Sequence, residues 1–281
     1  MADAGRRAGQ VEGGGRRGLF DRWLKPQQMQ QPTGQLAYEV LAGSGDLSDT
    51  ELVDGLAREV VRNYVIPREL EMVFEDLCAP EVAAYLRVNK FPSVTRTRHG
   101  DFGEIVTGAL YRLVRRWCVP ILKLRYKQTA NQAVQGTDVL AFRFRRQPPV
   151  IAVPEVKTRA TRKKALGEEA YDSLEKVLGR LDESLAFAMN RCAERGQGFL
   201  ARRLAALIRN PANRVVERHM LFVHDTDAWK DDVVELLVDK VTQPTELTVV
   251  KIDDLQAFVA GVYTAAEDVP SQQTRTTGEP A

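Results

Sequence analysis

The residues best placed to do chemistry are Asp138, Glu155 and Lys157. Asp138 stands in Gly136-Thr137-Asp138-Val139-Leu140, and the other two stand in Val153-Pro154-Glu155-Val156-Lys157. Two short apolar or alternating runs, 137–144 and 150–156, flank the turn-forming Gln147-Pro148-Pro149, which predicts successive β-strands. Residues two apart on a strand share a face, so Glu155 and Lys157 project together while Val156 points away. With Asp138 facing the same way from the neighbouring strand, two carboxylates and one ammonium meet at a point. Hard divalent cations such as Mg²⁺, for which Mn²⁺ substitutes, take one or two carboxylates and leave the other positions to water and a substrate phosphate. That arrangement is half of a phosphodiesterase: the cation acidifies water and stabilises charge on phosphorus, and Lys157 orients the water or contacts the phosphate. An acid-x-Lys tripeptide arises about twice by chance in a chain this long, so context has to carry the reading. A surface salt bridge among the three residues at a strand end is the alternative that pattern alone leaves open.

Several elements have to position this group. A helix over 101–117 places Phe102, Ile105, Val106, Ala109, Leu110, Leu113 and Trp117 on one broad apolar face. Glu104 falls opposite, near Gly108, Tyr111 and Arg115, either as an auxiliary acid bordering the cleft or as a solvated helix acid. Strands are expected at 119–127, 137–145 and 150–157. A basic turn with Arg159, Arg162, Lys163 and Lys164 then leads into one long helix over 167–195, whose N-terminus would attract phosphate. Helix and strand then alternate: a helix at 199–209, a strand at 215–223, a helix at 228–240, a strand at 247–252 and a last helix capped by Asp253. The expected fold class is α/β, a mixed five-stranded sheet flanked by helices.

Upstream, residues 1–33 are rich in Gly, Gln, Arg and Pro and are expected to be a disordered tail. Phe20, Trp23 and Leu24 form an apolar island in it, suited to docking on a partner or on the protein's own surface. Residues 34–95 read as a helical region. Ser48-Asp49-Thr50-Glu51 is a capping box, Leu52, Leu56, Val60 and Tyr64 repeat on one face until Pro67, and further helices follow at 68–77 and from Pro80. Residues 96–264 then form the domain that carries the site, and residues 265–281 a polar, disordered tail.

At 281 residues with 44% hydrophobic content, the chain can bury the core of one sizeable α/β domain plus an accessory region. Its net charge of +2 hides an uneven distribution, because residues 96–164 hold sixteen Lys and Arg against four acids. A basic segment around paired carboxylates suits a polyanionic substrate bound in a salt-dependent way, although a solvated basic face reads the same. Cys78, Cys118 and Cys192 lack the spacing of a zinc site or disulfide framework and fit buried thiols in a reducing cytoplasm. There is no run of 18 apolar residues and no apolar signal core, which argues against a membrane span or export. His219 and His224 show no ligand spacing, and His99 is at most a phosphate contact.

The order Glu104, Asp138, Glu155-Val156-Lys157, laid over helix, strand, strand, strand, helix, resembles the PD-(D/E)XK nuclease superfamily with its restriction-endonuclease-like fold. The wider text resembles one branch of it, the HamA effectors of the bacterial Hachiman anti-phage system. That text is His99-Gly100-Asp101-Phe102-Gly103-Glu104, Lys123 to Lys127, Asn131, Gly136-Thr137-Asp138 and Pro154-Glu155-Val156-Lys157-Thr158. The similarity covers approximately residues 96–185; Thr137 stands where the superfamily's name places Pro, a position that contacts no metal. The resemblance implies a Mg²⁺-dependent DNA nuclease. Asp138 and Glu155 would be metal ligands, Lys157 would position water or phosphate, and Glu104 would be an auxiliary acid. Lys123, Lys127, Arg159, Arg162, Lys163 and Lys164 would be its DNA contacts. It also implies a partner, a superfamily 2 helicase of the HamB kind, that restrains the nuclease. Two other readings stay open: a stand-alone restriction or repair nuclease, and a catalytically silent DNA-binding scaffold.

Overall fold

The apolar runs around Glu155 and in the C-terminal third, rich in Val, Ile and Leu, form the parallel centre of one sheet, as β-branched chains buried on both faces do. The computed structural model describes residues 18–66, 79–134 and 136–277. In chain order its strands are β1 (Leu24–Thr33), β2 (Leu36–Gly43), β3 (Ala141–Arg143), β4 (Val150–Arg159), β5 (Val215–Asp225) and β6 (Thr245–Ile252). The spatial order is β1-β2-β6-β5-β4-β3. Strands β2, β6, β5 and β4 run parallel, and each edge is closed by an antiparallel neighbour. The described residues thus form six strands where five were expected.

Helices cover both faces. On one lie α1 (Leu19–Trp23), α2 (Asp49–Tyr64), α3 (Ala79–Tyr85), α4 (Thr95–Ala109) and α9 (Leu255–Thr277), packed on Leu221, Val223, Val250 and Ile252. On the other lie α5 (Leu166–Leu178), α6 (Leu181–Glu194), α7 (Gly198–Arg209) and α8 (Asp232–Val238), packed on Met220, Phe222, Leu247 and Val249. Neighbouring strand residues alternate between the two cores, as the pleat requires.

Five expectations are corrected. Disorder does not extend to residue 33: Phe20 and Trp23 are buried in the core, and β1 pairs with β2. The apolar island docks on the protein itself. Residues 34–95 are not wholly helical, because β2 lies among them and joins the central sheet through β6. No strand forms over 119–127; Cys118 makes an isolated antiparallel bridge to Phe142, and Lys123–Tyr126 is a 3-10 turn. The helix expected over 167–195 is two, α5 and α6, separated at Gly179 and Arg180. The C-terminal segment continues as α9 to Thr277, starting after Asp254, whose carboxylate accepts the Ala257 N–H at 3.3 Å, rather than being capped by Asp253. The Ser48 capping box is present as read, with the Glu51 carboxylate returning to the Ser48 N–H. The helix expected at 68–77 lies outside the described residues, as does Cys78; Cys118 and Cys192 are free thiols. No helix among the described residues is long and apolar enough to cross a membrane.

Candidate active site

The site forms where β4 outruns its neighbour. Strand β3 pairs only with residues 150–152 of β4, so the rest of that edge carries backbone groups with no strand beside them. Asp138 fills the gap: its Oδ2 accepts the Val156 N–H at 3.0 Å. A side chain thereby does the work of a missing ladder bond, and it pins Asp138 to the residue between Glu155 and Lys157. Gly136 makes this possible, since its φ of +100° is a conformation that residues with a Cβ rarely adopt. Thr137 is held from behind, its hydroxyl donating to Ser184 Oγ at 2.7 Å.

Helix α4 brings in the third acid. A Cβ on Gly103 would lie 2.0 Å from Thr158 Oγ1 and 3.0 Å from Val156 Cγ1, so only glycine lets the helix press this closely on β4. Glu104, the next residue, is carried against the strand by that approach. The helix is buried nearly all round, between the sheet and its neighbouring helices, so the expected polar side is interior as well. Glu104 is 17% exposed, and its Oε2 lies 3.5 Å from Lys123 Nζ without a hydrogen bond.

Lys123, at the start of the 3-10 turn, stands between two acids: its ammonium is 3.4 Å from Asp138 Oδ1 and 3.5 Å from Glu104 Oε2, and its side chain is 8% exposed. On the far side, Lys157 Nζ donates to Glu155 Oε1 at 2.6 Å. Glu104, Asp138, Glu155, Lys123 and Lys157 therefore form one cluster of three acids and two ammoniums. Burial pushes the Glu104 carboxyl well above the usual range, and Asp138 and Asp101 add to the rise while Lys123 opposes it. Burial also raises Glu155, helped by Asp138 and opposed by Lys157 and Lys123. For Lys123, burial disfavours the charge, but Glu104 and Asp138 outweigh it and the ammonium is held more firmly than usual.

This set fits a hard cation: the donors are carboxylate oxygens, one of them buried without a hydrogen bond, and burial, with the neighbouring acids adding to it, disfavours their charge in the absence of a cation. Their oxygens are not drawn onto one point, with Lys123 as the counter-ion of two of them. Among the described residues the trio of ligand atoms lying within 4.8 Å of one another is instead Glu217, His219 and Glu246. Sequence reading missed that trio because the carboxylates and imidazole come from adjacent strands, aligned by the pairing of His219 with Glu246. The guanidinium of Arg115 already occupies it, 3.6 Å from Glu246 and 3.4 Å from His219 Nδ1, so it reads as an ion network around a buried histidine.

The expected DNA contacts divide. Lys127 is 4% exposed and bonded to Asp101, which Tyr64 also holds, and Lys123 serves Glu104 and Asp138; both ammoniums face carboxylates rather than solvent. Arg162 and Lys164 are exposed and Arg159 and Lys163 half-buried, and Arg162 and Lys163 carry ion pairs to Asp232 and Glu169. Much of the sequence's basic surplus is neutralised in space by acids from elsewhere: Arg98 by Glu267, Arg112 by Glu59, and Arg115 by Glu39 and Glu246.

The sequence model of the HamA family matches residues 18–266. The matched span begins with α1, in keeping with the place of Phe20 in the core. No curated protein sequence matches the chain.

Proposed function

The chain belongs to the HamA family, which supports a place as a component of Hachiman defence, and on that premise we propose that it is a metal-dependent DNA nuclease of the PD-(D/E)XK kind. The observation that carries the proposal is the bond from Asp138 to the Val156 N–H, which fixes Asp138 beside Glu155 and Lys157 at the open edge of β4. Asp138 and Glu155 are the residues to hold Mg²⁺ or Mn²⁺, with Glu104 directly or through water. Such an ion supplies a Lewis acid and an acidified water when bound.

The chain's own residues do the rest. Asp138 is held rigid by its backbone bond, so it keeps its position when charge builds nearby. Lys157, on the same face as Glu155, orients the attacking water or contacts the phosphate oxygen. Lys123 neutralises Glu104 and Asp138 in the metal-free protein and keeps a cluster of acids folded. Arg159, Arg162, Lys163 and Lys164 border the end of β4 and take the backbone of the DNA. Because Phe20 and Trp23 are interior, a helicase partner of the HamB kind would dock elsewhere on the N-terminal half, where Val88 is 72% exposed. The test is cleavage of plasmid DNA by the purified chain, alone and with its helicase and ATP, in Mg²⁺, Mn²⁺ or EDTA. Cutting that EDTA stops supports the proposal; intact plasmid under every condition leaves the scaffold reading.

A further inference from the structure

Asp138 belongs to two walls at once. One side of its loop faces Glu104 and β4; the other borders a cavity of about 300 Å³ between that loop, Lys123 and helices α5 and α6. Ile121, Leu140 and Val177 give it apolar sides, and the half-buried Phe187 ring stands in its lining. At the Asp138 end, the Thr137 and Ser184 hydroxyls are bonded to each other and offer donors and acceptors. Exposed Lys176, which has no hydrogen bond or ion pair among the described residues, and Arg180, tied to Glu183 in an exposed pair, supply positive charge.

Apolar walls, an aromatic ring, a hydroxyl pair and cations are the requirements of a nucleotide: a flat heterocycle to bury, polar edges to satisfy and a phosphate to neutralise. The volume sits at the lower end of small-molecule sites and is sufficient for one base. We propose that this cavity receives one unstacked base of the strand being cut, so that the site acts on single-stranded or unwound DNA. The inference rests on the nuclease reading and adds the substrate class to it. Taking one base out of the stack is easiest where pairing is already lost, so the cavity favours opened strands over duplex. The Gly136 turn joins the pocket to Asp138 through a single residue, so a seated base sets the position of the adjoining phosphate.

The test uses the full chain carrying Lys157→Ala, which leaves bound DNA uncut, and short single strands with one 2-aminopurine placed at each position in turn. The expected result is a change of emission confined to one position. An abasic nucleotide there should weaken binding about tenfold, the scale of one base–aromatic contact. Ser184→Phe, which fills the cavity, and Phe187→Ala, which removes its ring, should each bring the ratio of intact to abasic binding toward one. Emission that changes alike at all positions, abasic strands that bind as well as intact ones, or variants that keep the full ratio would overturn the proposal. Parent protein that cuts DNA without these effects refutes the pocket and keeps the nuclease; the effects without any cutting by the parent do the reverse.

Discussion

Replacing Lys123 by methionine removes the positive charge that Glu104 and Asp138 share and leaves a stem of similar length. The ammonium lies 3.5 and 3.4 Å from the two carboxylates. At an effective dielectric constant of about 20, each contact is worth roughly 5 kcal/mol before any compensation. Lys123 no longer has to be desolvated in the variant, and Glu104 can escape by holding a proton, so the net loss is about 3 kcal/mol, the lower end for a broken buried pair. In a protein of this size that lowers Tm by about 6–12 °C in EDTA. A cation at the acids would replace the missing charge: Mg²⁺ at a hundredfold over its Kd raises the variant by about 2.7 kcal/mol over its own stability in EDTA. Thermal unfolding of parent and variant, each in EDTA and in Mg²⁺, reads both numbers. Lys127→Met is the control, since Lys127 pairs with Asp101 and with neither Asp138 nor Glu155; it should be destabilised in both buffers alike. A Lys123→Met protein that melts within about 2 °C of the parent in EDTA, or whose own Tm is not raised by Mg²⁺, would overturn this.

Three further outcomes follow from the geometry. The Glu104 and Glu155 carboxyls are raised by burial, so between the ordinary carboxylate range and their raised values the folded protein holds protons that the unfolded chain has released. Stability in EDTA should therefore fall as pH rises through that window, while the Tm gain from Mg²⁺, which needs the ionised acids, should grow; melts at successive pH values that show a constant gain contradict this. Phe20→Ala empties a fully buried position and should cost about 3–5 kcal/mol in denaturant unfolding, whereas Phe199→Ala, at a residue 64% exposed, should stay within about 0.5 kcal/mol. Gly136→Ala forces a side chain into φ +100° and should cost about 1–2 kcal/mol, with DNA cleavage reduced further than stability because the displaced loop carries Asp138.

The parts of this molecule that were legible are those set by neighbours in sequence. The Ser48 capping box closes within one helical turn, and the shared face of Glu155 and Lys157 follows from the two-residue period of a strand. What escaped was decided across the chain. Lys123 looks like a phosphate contact until Glu104 and Asp138 are seen to enclose it, and the surplus of Arg and Lys looks like a surface until Glu39, Glu59, Glu246 and Glu267 neutralise it from outside the segment. Strand β1, rich in Gln, carries little apolar signal and owes its place to the pairing with β2. Around Lys123 an apolar run reads as a strand, yet a single bridge at Cys118 and a 3-10 turn replace it, and that departure is what points the lysine inward. The apolar period runs unbroken from α5 into α6, so the break at Gly179 was invisible to it.

The most direct test of the central claim is the cleavage rate of the parent beside Glu155→Gln and Lys157→Ala, each matched to it by circular dichroism and melting temperature. The expected result is cutting by the parent in Mg²⁺, lost in EDTA and reduced at least about a hundredfold by either substitution. Equal cutting by the folded variants would place the chemistry away from Asp138, Glu155 and Lys157 and contradict it.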